Sequence, residues 1–185
     1  MQKIQILAVS GSLRASSSNT VLLRAAMMLA PANVEINLYQ NLADLPYFNP
    51  DLDGAVAPSA VADFRRQLQI SDAILISSPE YAHGVPGVLK NALDWIVSSG
   101  ETVNKPVGLI NASPRAVHAQ ASLTEILKTM MADIVPAASI TLPLSGKNLN
   151  ENGILAAPEL SGALRESIAA LVFAVKNNHL KLANS

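Results

Sequence analysis

The 185-residue chain contains no cysteine. Disulfides, thiolate metal sites, iron–sulfur ligation and cysteine nucleophiles are all excluded by that one absence. It fits a reducing compartment. An excess of charge is lacking as well: 13 Lys and Arg stand against 14 Asp and Glu, a net charge of -1. Nucleic acid selects basic surfaces, so it is not an expected partner. No apolar run approaches the roughly 18 residues of a membrane helix. No charged region followed by an apolar one opens the chain as in a signal peptide. The expectation is a cytoplasmic protein without membrane contact. Linkers, internal repeats and low-complexity tracts are missing too, so residues 1–185 read as a single domain. Half of the residues are hydrophobic and 15% are charged, the balance of a packed fold.

What is there is an alternation. Short apolar runs at Ile4–Val9, Val34–Leu38, Ala73–Ser77, Val107–Asn111 and Ala138–Leu142 read as strands. Helical patterns follow at about Asn19–Leu29, Pro58–Gln69, Pro86–Ser98, Ala119–Met131 and Pro158–Asn178. Near-continuous apolar strands suit a parallel sheet covered on both faces. The pattern predicts an α/β three-layer sandwich with five parallel strands in the flavodoxin-like order 2-1-3-4-5. Asn41–Ala57 and Leu144–Leu155 read as loops.

In such a sheet, ligands sit beyond the carboxyl ends of the strands. The first turn there is Ser10-Gly11-Ser12-Leu13-Arg14-Ala15-Ser16-Ser17-Ser18-Asn19-Thr20. It lacks the glycine pattern of a dinucleotide fingerprint and the Gly-Lys-Ser/Thr ending of a P-loop. Instead it crowds hydroxyls, one amide and one guanidinium against a helix N-terminus, a set of donors suited to an anion. The alternative is that Ser18 or Asn19 simply caps the helix and the other serines fill the turn.

The turn after the third strand lies beside the first. It reads Ser78-Pro79-Glu80-Tyr81-Ala82-His83-Gly84-Val85-Pro86-Gly87, then Val88-Leu89-Lys90-Asn91-Ala92-Leu93-Asp94-Trp95. Pro86 suits a first helical turn. Gly84 and Gly87 keep side chains away from a main chain that a flat ring could approach.

Together, Gly11-Ser12-Leu13-Arg14 with Ser17 and Asn19, and Pro79-Glu80-Tyr81 through Trp95, resemble the NADPH-dependent FMN reductases. That family includes flavin-dependent quinone, chromate and azo-dye reductases. The resemblance implies a flavodoxin-like fold and a cofactor, FMN. It implies that Ser10, Ser12, Arg14, Ser17, Ser18 and Asn19 hold the phosphate. It implies that the ring lies along Pro79, Glu80, Tyr81, Ala82, His83 and Gly84, with Ser113 of the next loop also in contact. Relatives continue that third loop with glycines; here it reads Ala116-Val117-His118-Ala119.

The implied reaction passes hydride from NADPH or NADH to FMN, then two electrons to a quinone or similar small acceptor, in ping-pong order. Tyr81 and His83 are weak candidates for a proton donor, since solvent can serve. A flavodoxin-like electron carrier or a flavin-binding sensor domain is the alternative. The near-zero net charge offers a carrier little to dock with.

Three scattered histidines without cysteine give no metal motif. Asp51 and Asp53 read as loop solvation. The apolar arc of the Pro86–Ser98 helix spans about 200°, twice what a sheet alone covers. Val88 and Trp95 on its edge are expected to meet a second copy of the chain, in a dimer or tetramer as the resemblance implies, or else the chain's own Asn41–Ala57 loop.

Overall fold

The computed structural model describes residues 3–54, 56–144 and 148–183. Its strands are β1 (Ile4–Ser10), β2 (Val34–Leu38), β3 (Ala73–Ser77), β4 (Pro106–Asn111), β5 (Asp133–Ile134) and β6 (Ile140–Thr141). Its helices are α1 (Ser18–Leu29), α2 (Ser59–Ile70), α3 (Gly87–Asp94), α4 (Val117–Thr129), α5 (Glu151–Ala156) and α6 (Pro158–Ala183). The sheet runs β2-β1-β3-β4-β5 and every pair is parallel.

Alternation along each strand explains why the runs are apolar throughout. Ile6 and Ala8 face a cluster built with Leu22, Leu23, Leu164, Ile168 and Leu171 of α1 and α6. Leu7 and Val9 face the opposite cluster, built with Phe64, Leu68, Leu89, Leu93, Leu123 and Leu127 of α2, α3 and α4. Both faces are buried, so neither set of alternate positions is polar.

The fifth position of the sheet departs from the single strand expected over 138–142. β5 pairs with the start of β4 and β6 with its end. Between them Pro136–Ala138 makes one 3-10 turn. Pro136 has no N–H to offer a ladder. Ser139 stands in: its Oγ accepts from Leu109 N at 3.2 Å and donates to Val135 O at 3.0 Å. The turn presses on β4, and a Cβ on Gly108 would lie 3.0 Å from Ala138 O.

Three further expectations are corrected. The 144–155 stretch is not all loop: α5 forms over 151–156, capped by the Asn150 side chain accepting from Gly153 N at 2.9 Å. Its residues 145–147 lie outside the described set. The helix expected over 86–98 ends at Asp94. Of the two coverings expected for Trp95, the chain's own Asn41–Ala57 loop is the one observed, and the side chain is fully buried. Phe48 meets it edge-on at 5.1 Å, and its Nε1 donates to Pro46 O at 2.7 Å. Val88 is half-buried. Asp53 is also more than solvation: it accepts from Ser98 at 2.6 Å and pairs with Arg65 at 2.6 Å. Those two contacts hold its carboxyl below the usual carboxylate range, the Ser98 hydrogen bond contributing most.

Candidate functional site

The three central strands each end, at their carboxyl termini, in a buried polar residue: Ser10, Ser77 and Asn111. Each organises a turn. Ser10 Oγ lies 2.8 Å from Thr20 Oγ1 and accepts from Ser12 N at 3.3 Å. Ser77 Oγ donates to Asn19 Oδ1 at 2.9 Å, so the first turn of α1 is tied to β3. Asn111 Oδ1 accepts from Ser113 N at 2.9 Å and its Nδ2 donates to Ala116 O at 3.2 Å.

The first turn is pressed against the second. Gly11 N donates to Ser77 O at 2.9 Å. A Cβ on Gly11 would lie 2.3 Å from Ser78 Oγ and 2.8 Å from Ser78 Cβ. Only glycine permits that approach. Ser17, not Ser18 or Asn19, caps α1: its Oγ accepts from Thr20 N at 3.4 Å. Arg14 donates to Ser16 Oγ at 3.1 Å, and no acidic residue occupies the first turn of α1.

The second turn is tighter than proline and glycine alone would make it. Tyr81 and Gly84 exchange both main-chain hydrogen bonds, at 3.1 and 2.9 Å. Ala82 and His83 between them have φ of 49° and 58°. Two left-handed central residues define a type I′ turn. Neither residue is glycine, so each holds the conformation at about 1–2 kcal/mol. Strain of this kind gathers at functional sites. The amides of Ala82 and His83 have no hydrogen-bond partner among the described residues.

Glu80 does not direct its carboxylate at open space. Its Oε2 accepts from Ala119 N at 2.8 Å, across 39 positions of chain. The N-cap residue of α4, Ala116, has no side chain that can do this, so Glu80 supplies the cap from the neighbouring turn. His83 adds a second tie: its ring stacks on His118 in the first turn of α4, with centroids 4.5 Å apart and planes 23° from parallel.

An open cleft of about 300 Å³ lies between the turns. Ser18 and Asn19, Pro79 and Glu80, and Ser113 and Arg115 form its walls. Ser10, Ser12 and Arg14 line instead a separate hollow of about 300 Å³, together with Thr20, Arg24 and Tyr39. Tyr81, Ala82 and His83 stand exposed at the rim, Tyr81 by 53%. Ser77 and Asn111 were the residues that motif reading passed over. The signal for both is present: each apolar strand stops on a polar side chain.

The model of the NADPH-dependent FMN reductase family matches residues 4–146. An NAD(P)H-dependent FMN reductase of Pseudomonas aeruginosa is 38% identical over 112 residues, 60% of each chain. A quinone reductase of Escherichia coli K12 is 35% identical over 119 residues, 63% of each chain. The match thus spans about three fifths of the length of these two relatives. FerB of Paracoccus denitrificans, a flavoenzyme NAD(P)H:(acceptor) oxidoreductase, superposes with a TM-score of 0.76 at 27% identity, over 94% of this chain and 98% of its own. With both turns of the cleft inside the matched stretch, the chain belongs to the NADPH-dependent FMN reductase family.

Proposed function

We propose that the chain binds FMN with its ring in this cleft and its phosphate on the first turn, between the cleft and the adjoining hollow, and acts as an oxidoreductase between NAD(P)H and a quinone or similar small acceptor. One observation carries the reading. A helix N-terminus rich in hydroxyls and a strained turn with free amides meet at the same end of the sheet.

The residues fit the cofactor. A phosphate needs donors and no competing carboxylate; Ser12, Arg14, Ser17, Ser18 and Asn19 meet both conditions, and Ser10 braces them through Thr20. A flat ring needs a wall without bulk and hydrogen-bond donors at its edge. Pro79, Glu80 and Ser113 provide the wall, and at the rim the amides of Ala82 and His83 have no hydrogen-bond partner among the described residues. When bound, FMN supplies the redox chemistry, accepting hydride from NAD(P)H and returning two electrons to the acceptor. The chain's own part is to orient and to stabilise. The Ala82 and His83 N–H groups would stabilise negative charge on a flavin held there. Exposed Tyr81 leaves the rim open, so one face serves donor and acceptor in turn, which gives ping-pong order and weak acceptor selection. Water reaches this rim, and neither Tyr81 nor His83 is needed as an acid.

The chain is further proposed to self-associate through the surface formed by 86–98 and the segment packed on it. Tyr47, Leu52 and Val97 stand exposed there, while Asn91 and Trp95 tie that segment down through Pro46. Sedimentation as a monomer at micromolar concentration would remove this part alone. Among the described residues no helix is long and apolar enough to cross a membrane, and the cysteine-free composition suits the cytoplasm.

The test is anaerobic absorption spectroscopy of the protein with FMN. The expected result is a protein-bound flavin spectrum that bleaches on adding NADPH or NADH and returns on adding a quinone. Bound flavin that neither nucleotide reduces would make the chain a carrier or sensor, and no binding would end the reading.

A further inference from the structure

The chain has six arginines. Arg24 pairs with Glu151, Arg65 with Asp53 and Arg66 with Asp63. Arg14 donates to Ser16 and Arg165 to Leu29 O. Among the described residues, only the Arg115 guanidinium has neither an ion pair nor a hydrogen bond. It is exposed, yet it stands on the wall of the cleft. Its backbone is fixed: Arg115 N donates to Ser113 Oγ at 3.3 Å, in a turn that Asn111 braces from below.

The charge around it is one-sided. Glu80 is the only carboxylate on the cleft wall, and it is bound to the N-terminus of α4. An exposed guanidinium on a fixed turn, facing no anion of its own, suits a phosphate or carboxylate brought by a ligand.

We propose that Arg115 receives the 2′-phosphate of NADPH and so sets the preference for NADPH over NADH. The inference rests on the proposed use of the cleft by a nicotinamide substrate. A cleft of about 300 Å³ takes a ring system and little more. The rest of a dinucleotide, its adenosine end included, has to lie over the rim. Arg14 is the other arginine near the site, but it lines the separate hollow and belongs to the turn read as the FMN phosphate site. Arg115 is on the ring side. His118, three positions on and stacked with His83, extends the rim as a flat exposed surface beside it.

The test has a binding arm and a kinetic arm. Calorimetry compares 2′,5′-ADP with 5′-AMP on the wild type, Arg115→Ala and Arg115→Lys. The wild type is expected to bind 2′,5′-ADP at least about tenfold more tightly than 5′-AMP, the worth of one charge-assisted contact. Arg115→Ala is expected to erase the difference and Arg115→Lys to restore part of it. In the kinetic arm, Arg115→Ala lowers the ratio of kcat/KM for NADPH to that for NADH by a similar factor, the change lying in KM for NADPH. Equal binding of the two nucleotides by the wild type overturns the inference, as does an equal loss toward NADPH and NADH in Arg115→Ala. A loss confined to a sulfonated quinone, with a neutral quinone and the NADPH-to-NADH ratio unaffected, also overturns it and gives Arg115 to the acceptor. If the wild type fails to bind FMN, the proposed function falls by itself; the calorimetry reads Arg115 without flavin.

Discussion

The two ends of the parallel sheet treat their polar groups in opposite ways. At the amino end, helices arrive with free carbonyls and the chain supplies the donors itself. Lys105 Nζ donates to Leu68 O and Ser71 O at the end of α2. Thr102 Oγ1 donates to Met130 O at 3.0 Å at the end of α4. Asp72 accepts from Gln5 N at 2.8 Å and pairs with His179 at 3.2 Å. At the carboxyl end, helices present N–H groups and a positive dipole end, and the chain answers only some of them. Ser17 caps α1 and Glu80 caps α4, but the N-cap residue of α3, Pro86, makes no side-chain cap. Ala82, His83 and Arg115 are left with donors to give. The amino-end hollow is the larger, about 750 Å³ against about 300 Å³. The proposed function therefore sets size aside and takes the smaller hollow, where the turn amides and Arg115 have donors to give.

Substitutions at the two ends are expected to separate stability from binding. The largest stability effect belongs to Lys105→Ala, which strips the donor from two carbonyls at the end of α2. It is expected to lower unfolding free energy by about 2–3 kcal/mol in urea titrations and to leave FMN affinity unchanged. A parallel fall in FMN affinity would break the comparison. Arg14→Ala is the converse. It is expected to weaken FMN binding about tenfold by fluorescence titration, with unfolding free energy within about 0.5 kcal/mol of the wild type.

Tyr39→Phe is a smaller test. Tyr39 packs on Phe64 with its hydroxyl buried and without a hydrogen-bond partner among the described residues. Losing that hydroxyl is expected to stabilise the fold by about 1 kcal/mol. Burial, and then the charges of Asp63 and Asp44, push the Tyr39 phenol from 10.0 up to about 12. The folded state therefore holds this proton more tightly than the unfolded one. The Tyr39 contribution is fully present below pH 10 and is lost as pH rises toward about 12. The phenylalanine variant is expected to lose less stability over that window, as read by chemical denaturation at stepped pH.

Met131→Gly is the mildest. α4 ends with Ala132 N donating to Leu127 O and Met131 N to Lys128 O, which puts Met131 at the left-handed position with φ of 57°. The side chain is 61% exposed, so little packing is lost. Glycine there is expected to add a gain below about 1 kcal/mol, read as a small rise in Tm with no change in flavin binding.

Much of this was legible in the sequence, and the part that was not has a common cause. β1 and β3 announce themselves because both of their faces are buried, so Ile4 to Val9 and Ala73 to Ser77 carry unbroken apolar runs. The cleft walls at Ser18, Asn19, Pro79 and Glu80 follow from two local motifs, and Ser113 from the family resemblance those motifs carry. What failed to show depends on partners distant in sequence. The split between β5 and β6 is made by Ser139 reaching Leu109. Trp95 is covered by Phe48 and Pro46, and Asp53 is held by Arg65 and Ser98. Glu80 reaches Ala119, and His83 meets His118. Periodicity reports which face of an element is buried and is silent about which distant residue buries it.

The most direct test is a crystal structure of the protein grown with FMN. The account predicts the phosphate within hydrogen-bond reach of Arg14, Ser17 and Asn19, with the ring against the Pro79 to Gly84 turn and Ser113. Flavin bound instead at the amino end, beside Lys105 and Asp133, would contradict it.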